Sequence, residues 1–382
     1  MAVSKRLQPF GVTIFAEMTA LAQQYGAVNL GQGFPDWDGP DFVKEAAATS
    51  LAAGGSDQYP PMPGLPALRQ TVAGRYGPLL GREVDPDTEV TITCGCTEGL
   101  TACFLGLIDP GDEVVVIEPY YDSYPVGIAF AGAIPRYVTL RPPDFALDPE
   151  ELRAVFSEKT RAIVVNTPHN PSGRMFTYDE INLIAELCLE YDAIAISDEV
   201  YEEITFDGEH LRLATFPDMA ERTVTLSSVG KTYSLTGWKV GWAIAAPSLT
   251  AGVRSAHQFM TFTTPTPVQH GTVAALNAPQ QFYEDLRTDY RRLRDLLAKG
   301  LTEIGFDVHL PQGTYFMMAG YNRFSTDDDR TFARQLVEQA RVAVIPPSVF
   351  YQDPVEGDGL VRFAFCKSAD VLEDALQRLS SL

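Results

Sequence analysis

The 382-residue chain reads as an α/β protein: a large domain on a mostly parallel sheet flanked by helices, plus a smaller α+β domain. Two patterns carry that expectation. Short, continuously apolar runs at 90–93, 113–117, 162–165, 193–196 and 223–226 have the length of strands buried on both faces. Helical stretches over 98–108 and 177–191 stand between them, and this alternation sets parallel strands side by side. The last third differs: an amphipathic helix over 281–304 precedes apolar runs at 313–318 and 360–365, which predict helices on a small separate sheet. The expected division is a large domain over 36–270, with 1–35 and 271–382 forming the small domain and an N-terminal arm.

Composition narrows the function. Lys and Arg number 29 against 50 Asp and Glu, a formal net charge of −21, which repels nucleic-acid phosphates and anionic lipid. The basic cluster Arg287 to Arg294 is interleaved with Asp289 and reads as a solvated helix face. Cys94, Cys96, Cys103, Cys188 and Cys366 are scattered and odd in number, which predicts reduced thiols rather than a disulfide framework. Cys94 and Cys96 lack neighbouring ligands at zinc spacing, so no metal is expected. The first residues lack an apolar signal-peptide core and no apolar run reaches membrane-span length, which predicts a cytoplasmic protein.

Polar residues crowd where four of the predicted strands end, the edge of an open α/β sheet at which ligands bind. Lys231 follows Ser227, Ser228 and Gly230. Alone it is an ordinary surface lysine, but with these hydroxyls and Lys239 close by it suits a phosphate site holding a desolvated, nucleophilic amine. Asp198 ends an apolar strand; it is either a helix N-cap or a carboxylate that keeps a pyridine nitrogen protonated. Tyr201 either reaches the same ring or packs in the core. Asn170, before Pro171, reads equally as a turn residue. Cys96 and Thr97 stand between a strand and a helix, where backbone amides attract anions. Arg362 interrupts an apolar strand, either on its wet face or as a bidentate clamp on a carboxylate. His169 receives no role.

These motifs together resemble the fold-type-I, pyridoxal-5′-phosphate (PLP) dependent class I/II aminotransferases over essentially the whole length. The resemblance rests on Asn29-Leu-Gly-Gln-Gly-Phe-Pro-Asp36, Gln58-Tyr59-Pro60, Gly111-Asp-Glu-Val114, Asn166-Thr-Pro-His-Asn-Pro171, Ser197-Asp-Glu-Val-Tyr201, Gly230-Lys-Thr-Tyr233 and Thr236-Gly-Trp-Lys-Val-Gly241, in family order and spacing. Within the family the chain is most similar to the branch of kynurenine, glutamine and methionine aminotransferases. The resemblance implies that Lys231 forms the internal aldimine and shuttles the substrate α-proton, and that Asp198 pairs with the ring nitrogen. It gives Tyr201 and Asn170 the ring oxygen, and Tyr121 the ring face. Cys96 and Thr97 amides, Ser228 and Lys239 cradle the phosphate, joined by Tyr59 from the neighbouring subunit of a homodimer. Arg362, beside Gly33, clamps the substrate α-carboxylate, with Phe15 and Phe262 in the substrate pocket.

The implied reaction transfers the amino group of an amino acid to a 2-oxo acid. Phe15 and Thr263 stand where some kynurenine aminotransferases carry tryptophan and histidine, so methionine, glutamine or aromatic donors are favoured over kynurenine. The alternatives are a PLP-dependent carbon–sulfur β-lyase and a succinyl-diaminopimelate aminotransferase. A non-enzymatic PLP-sensing regulator is disfavoured, because such a protein would carry a DNA-binding extension and this chain starts almost directly at Asn29.

Overall fold

The computed structural model describes residues 3–382. A seven-stranded sheet forms its centre, in spatial order Val90–Thr93, Gly241–Ile244, Thr223–Ser228, Ile194–Asp198, Thr160–Asn166, Glu113–Glu118 and Ile134–Thr139. Neighbouring strands are parallel except for Gly241–Ile244, which runs antiparallel to both of its neighbours. Alternate residues of one strand enter different cores: Val115 and Ile117 pack with Ile163 and Val165 on one face, Val114 and Val116 with Ala162 and Val164 on the other. Burial on both faces is what the unbroken apolar runs anticipate.

Helices cover those faces. Cys96–Leu107 packs against Pro247–Met260, and Tyr178–Glu190 starts with a capping box in which Thr177 and Glu180 satisfy each other's backbone N–H groups. A three-stranded antiparallel sheet of Leu360–Ala364, Phe316–Gly320 and Asp307–His309 lies apart. Its core is shared with the helices Ile14–Tyr25, Gln280–Ile304 and Ala369–Leu379. Val28–Asn29 pairs in parallel with Val342–Ala343, which ties the N-terminal segment to this body. Among the described residues no helix is long and apolar enough to cross a membrane.

Two strands of the seven-stranded sheet were not anticipated. Ile134–Thr139 is half exposed and carries Pro135, as an edge strand permits, so it lacks the apolar signature. Gly241–Ile244 is only four residues long.

Candidate active site

The carboxyl ends of the strands open into a cavity of about 260 Å³. The first wall is a corner for an anion. Gly95 caps the helix Cys96–Leu107 at φ 78°, a left-handed conformation suited to glycine, and Cys96 and Thr97 of its first turn, where amides lack helical partners, line the cavity. A Cβ on Gly95 would sit 3.3 Å from the Lys239 Nζ, so the ammonium lies against the helix start. Lys239 has φ 53° and no carboxylate partner among the described residues. Ser228 lines the same corner, its Oγ accepting from the Gly230 N–H at 3.3 Å. Ser227, expected beside it, turns away and donates to Glu202 Oε1 at 2.7 Å.

Gly241 makes this corner possible. A Cβ there would lie 2.8 Å from Cys96 N, Gly95 C and Ser227 O, all backbone atoms. Only glycine lets the strand pass so close to the helix start.

The second wall holds Asp198, buried at the end of Ile194–Asp198. Its Oδ2 accepts from the Tyr124 hydroxyl at 2.8 Å; its Oδ1 accepts from the Cys96 thiol at 3.5 Å and the Val200 N–H at 3.4 Å. Burial raises the proton affinity of this carboxyl, and these donors and Lys231 oppose the rise. No cation among the described residues forms an ion pair with it. Asn166 fixes the neighbouring turn: its Nδ2 donates to Asp198 O at 2.9 Å and its Oδ1 accepts from the Asn170 N–H at 2.7 Å.

Lys231 stands across from these groups, its Nζ 3.5 Å from Gly33 O, 5.7 Å from the Tyr201 ring centroid and 5.8 Å from that of Tyr315. Desolvation pulls its amine below the ordinary lysine range. Tyr201 is buried edge-on against Tyr315, with ring centroids 5.3 Å apart. Tyr121 lines the cavity 5.7 Å from the Tyr124 ring.

Arg362 closes the third wall at 1% exposure. Its guanidinium donates to Asn170 Oδ1 at 3.1 Å and Gly31 O at 2.9 Å, lies 4.0 Å from the Phe316 ring centroid and 5.3 Å from that of Phe15, and leaves Nε without a partner. It has no carboxylate partner among the described residues, and burial brings its pKa down to about 10. Gly33 sits beside Phe316, whose ring would be 2.5 Å from a Cβ at that position.

The structure thus brings the sequence-derived candidates into one cavity except Ser227, which faces Glu202, and the pair Tyr59 and Phe262. Those two form an edge-on pair on the surface, ring centroids 5.4 Å apart and 83% and 41% exposed. Phe262 is therefore not part of the pocket wall within its own chain, a correction to the sequence-based expectation. His169, buried and bonded through Nδ1 to Ser172 Oγ at 2.7 Å, is held neutral by burial, with a pKa down to about 3. Tyr124, Asn166, Gln32 and Phe316 line the cavity without having been singled out. Asn166 stood inside a quoted motif; Tyr124 stands one helical turn after Tyr121.

The donor set fits PLP. A flat ring carrying a basic nitrogen, a ring oxygen, a carbonyl and a phosphate matches the unpaired Asp198, the Asn170 and Tyr201 pair, the Lys231 amine and the Lys239 corner in turn.

Comparison with known proteins supports the same assignment. Residues 25–379 match the family model for aminotransferase class I and II. The chain is 46% identical over 394 residues to a probable N-succinyldiaminopimelate aminotransferase of Mycobacterium tuberculosis, covering 100% of this chain and 98% of that protein. It is 41% identical over 378 residues to the methionine aminotransferase of Escherichia coli K12, covering 99% and 97%. The solved N-succinyldiaminopimelate aminotransferase from Mycobacterium tuberculosis superposes with a TM-score of 0.96 over 100% of both chains at 46% identity. A cavity that matches each part of PLP, in a fold shared along its full length with such enzymes, leaves one conclusion: the chain belongs to the class I and II aminotransferases, PLP-dependent enzymes that move an amino group from an amino acid to a 2-oxo acid.

Proposed function

We propose that Lys231 anchors PLP and carries the proton in an α-amino acid aminotransferase whose donors have neutral, largely apolar side chains. The observation behind this reading is the pairing in one cavity of a desolvated amine, Lys231, with a buried guanidinium, Arg362, that has no carboxylate partner among the described residues. When bound, PLP supplies a protonated pyridine ring that draws electrons away from the substrate α-carbon. Asp198 holds the proton on the ring nitrogen. Tyr201 and Asn170 would bond the ring oxygen, Tyr121 would cover the ring face, and Ser228, Lys239 and the Cys96 and Thr97 amides would hold the phosphate.

Arg362 takes the substrate α-carboxylate and so points the α-hydrogen at Lys231. A lowered lysine pKa leaves more of the free base at neutral pH, so Lys231 would be the group that takes and returns that proton. We assign residues 36–270 to the domain with the Asp198 and Lys231 walls, and 1–35 with 271–382 to the domain that contributes Phe15, Phe316 and Arg362.

The donor preference follows from charge. Among the described residues Lys231, Lys239 and Arg362 are the only Lys or Arg side chains lining the cavity, and each already has a role. Phe15, Gln32, Phe34, Tyr121 and Phe316 make up neutral wall, so a side-chain carboxylate would be desolvated without a partner. Methionine, glutamine and aromatic amino acids fit this wall. The exposed Tyr59 and Phe262 pair suits a homodimer in which Tyr59 reaches the partner's phosphate corner. Free thiols throughout suit a reducing cytoplasm.

A second reading follows the Mycobacterium relative, whose name implies a substrate with several carboxylates. A donor panel decides between them. Methionine, glutamine and phenylalanine should give 2-oxo acids with kcat/KM at least about tenfold above aspartate, the ratio expected from about 1.4 kcal/mol of unpaired charge. Cystathionine should yield little pyruvate or thiol. Dominance of N-succinyldiaminopimelate or aspartate would reverse the charge argument, and dominant pyruvate release would make the enzyme a β-lyase.

A further inference from the structure

The thiol of Cys96 performs no task in the scheme above, which uses only its backbone amide. Yet Cys96 is one of the residues lining the cavity, and its Sγ is 3.5 Å from Asp198 Oδ1, while the Tyr124 hydroxyl bonds Oδ2 at 2.8 Å. The two donors come from different helices, Cys96–Leu107 and Ser123–Ala131, and converge on one carboxylate. We propose that Cys96 is a positioning residue whose S–H holds and tunes Asp198, so that the proton shared with the cofactor stays on the ring nitrogen. This inference rests on the assignment of Asp198 to that nitrogen.

The physical chain is short. An S–H group is a weak donor, but a hydrogen bond to an ionised acceptor is stronger than one between neutral groups. Donation to Oδ1 stabilises the carboxylate and lowers its affinity for the shared proton. Burial pushes the Cys96 thiol well up, so it stays protonated and remains a donor. The ionisable groups facing Asp198 are Tyr124 and Cys96 from the two helices, Lys231 beyond Thr223–Ser228, and Tyr121 and Tyr201. Of these, only Tyr124 and Cys96 donate side-chain hydrogen bonds to the carboxylate.

Removing the donor should make Asp198 more basic and draw the proton off the ring. A protonated ring nitrogen repels a second proton on the Lys231 nitrogen across the ring. Weaker ring protonation therefore raises the pH midpoint of the bound cofactor's visible absorption change. In holoenzyme C96A the midpoint should rise by about half a pH unit, the size expected for one weak charge-assisted bond at ~1.4 kcal/mol per unit. C96S, which keeps a donor, should return it to or below the wild-type value. D198N should move the midpoint further, and C96A in the D198N background should add nothing.

A readout without cofactor is the S–H stretch isolated as the infrared difference between wild-type and C96A apoenzyme, which D198N should shift. Equal midpoint shifts in C96A and C96S would mark a packing effect and overturn the proposal. An unchanged C96A beside a shifted D198N would overturn the role of Cys96 and leave Asp198 in place. No shift in either variant would overturn both.

Discussion

Replacing Arg362 by methionine separates the cost of the site from its use. The guanidinium is buried at 1% exposure with no carboxylate partner among the described residues, and desolvation brings its pKa down to about 10. That is roughly two and a half powers of ten below an ordinary arginine, and at ~1.4 kcal/mol per power the free protein holds this charge at a cost of about 3.5 kcal/mol. The group is still charged at pH 7. The cost is recovered when a carboxylate arrives and accepts two charge-assisted bonds of ~1.5–3 kcal/mol each. R362M keeps similar bulk against Phe316 and Phe15 while removing the charge, although it leaves Asn170 Oδ1 and Gly31 O without this donor.

Loss of activity on amino acids should therefore come without loss of stability. kcat/KM for an α-amino acid should fall about 10²- to 10⁴-fold, the ratio for ~3–6 kcal/mol. The slow reaction of the matching amine, which has no carboxylate, should change by less than about tenfold. The apoenzyme should unfold at the same or a higher denaturant midpoint, because replacing an unpaired buried charge with an apolar side chain is commonly neutral or stabilising. An equal loss on amine and amino acid, or a clear loss of stability, would show that Arg362 is a structural residue and would refute the reasoning.

Gly241→Ala should lower PLP affinity about tenfold or more, because its Cβ would meet backbone at Cys96, Gly95 and Ser227 and overpacking of this kind costs ~1–3 kcal/mol. Gly237→Ala, with nothing within 4 Å of its Cβ, is the control, and a fluorescence titration with PLP compares the two; equal affinities would place the phosphate elsewhere. Asp329 is buried with its Oδ2 accepting from the Ser348 N–H at 2.7 Å, and burial raises its pKa to about 6. A carboxyl raised above its unfolded value stabilises the fold only while protonated, so stability is lost as pH climbs from about 4 to about 6 and not beyond. D329N should escape that loss: its denaturant midpoint relative to wild type should rise across this window and level off above it, whereas a pH-independent difference would remove Asp329 as the cause.

The sequence was most legible where chemistry and geometry coincide at strand ends. Asp198 and Asn170 each follow an apolar run, and a polar side chain there has little use in packing. Arg362 stood out because an arginine inside an apolar strand needs a reason, and the structure shows it wholly buried between Phe15 and Phe316. Ser227 was misread for the opposite reason. It shares residue type and neighbourhood with Ser228, yet the alternation of a strand sends its side chain to the other face, where Glu202 receives it.

What remained hidden was pairing between elements. Tyr59 and Phe262 lie some two hundred positions apart, and nothing in either segment shows that they meet on the surface. The same holds for Cys96 and Asp198, 102 positions apart, and for Tyr124 and Asp198, 74 apart. Motifs reveal the group that acts, because its type is demanded by the chemistry. They say little about the group that holds it, because a thiol, a phenol or a backbone N–H can each donate to one carboxylate. The same holds for the arginine: it declares itself, while its companions Asn170 and Gly31 are set by which loop the fold happens to bring alongside. Differences in proton affinity among enzymes with the same acting residues should therefore be sought in such donors, and Asp198 here has two of them supplied by side chains from separate helices.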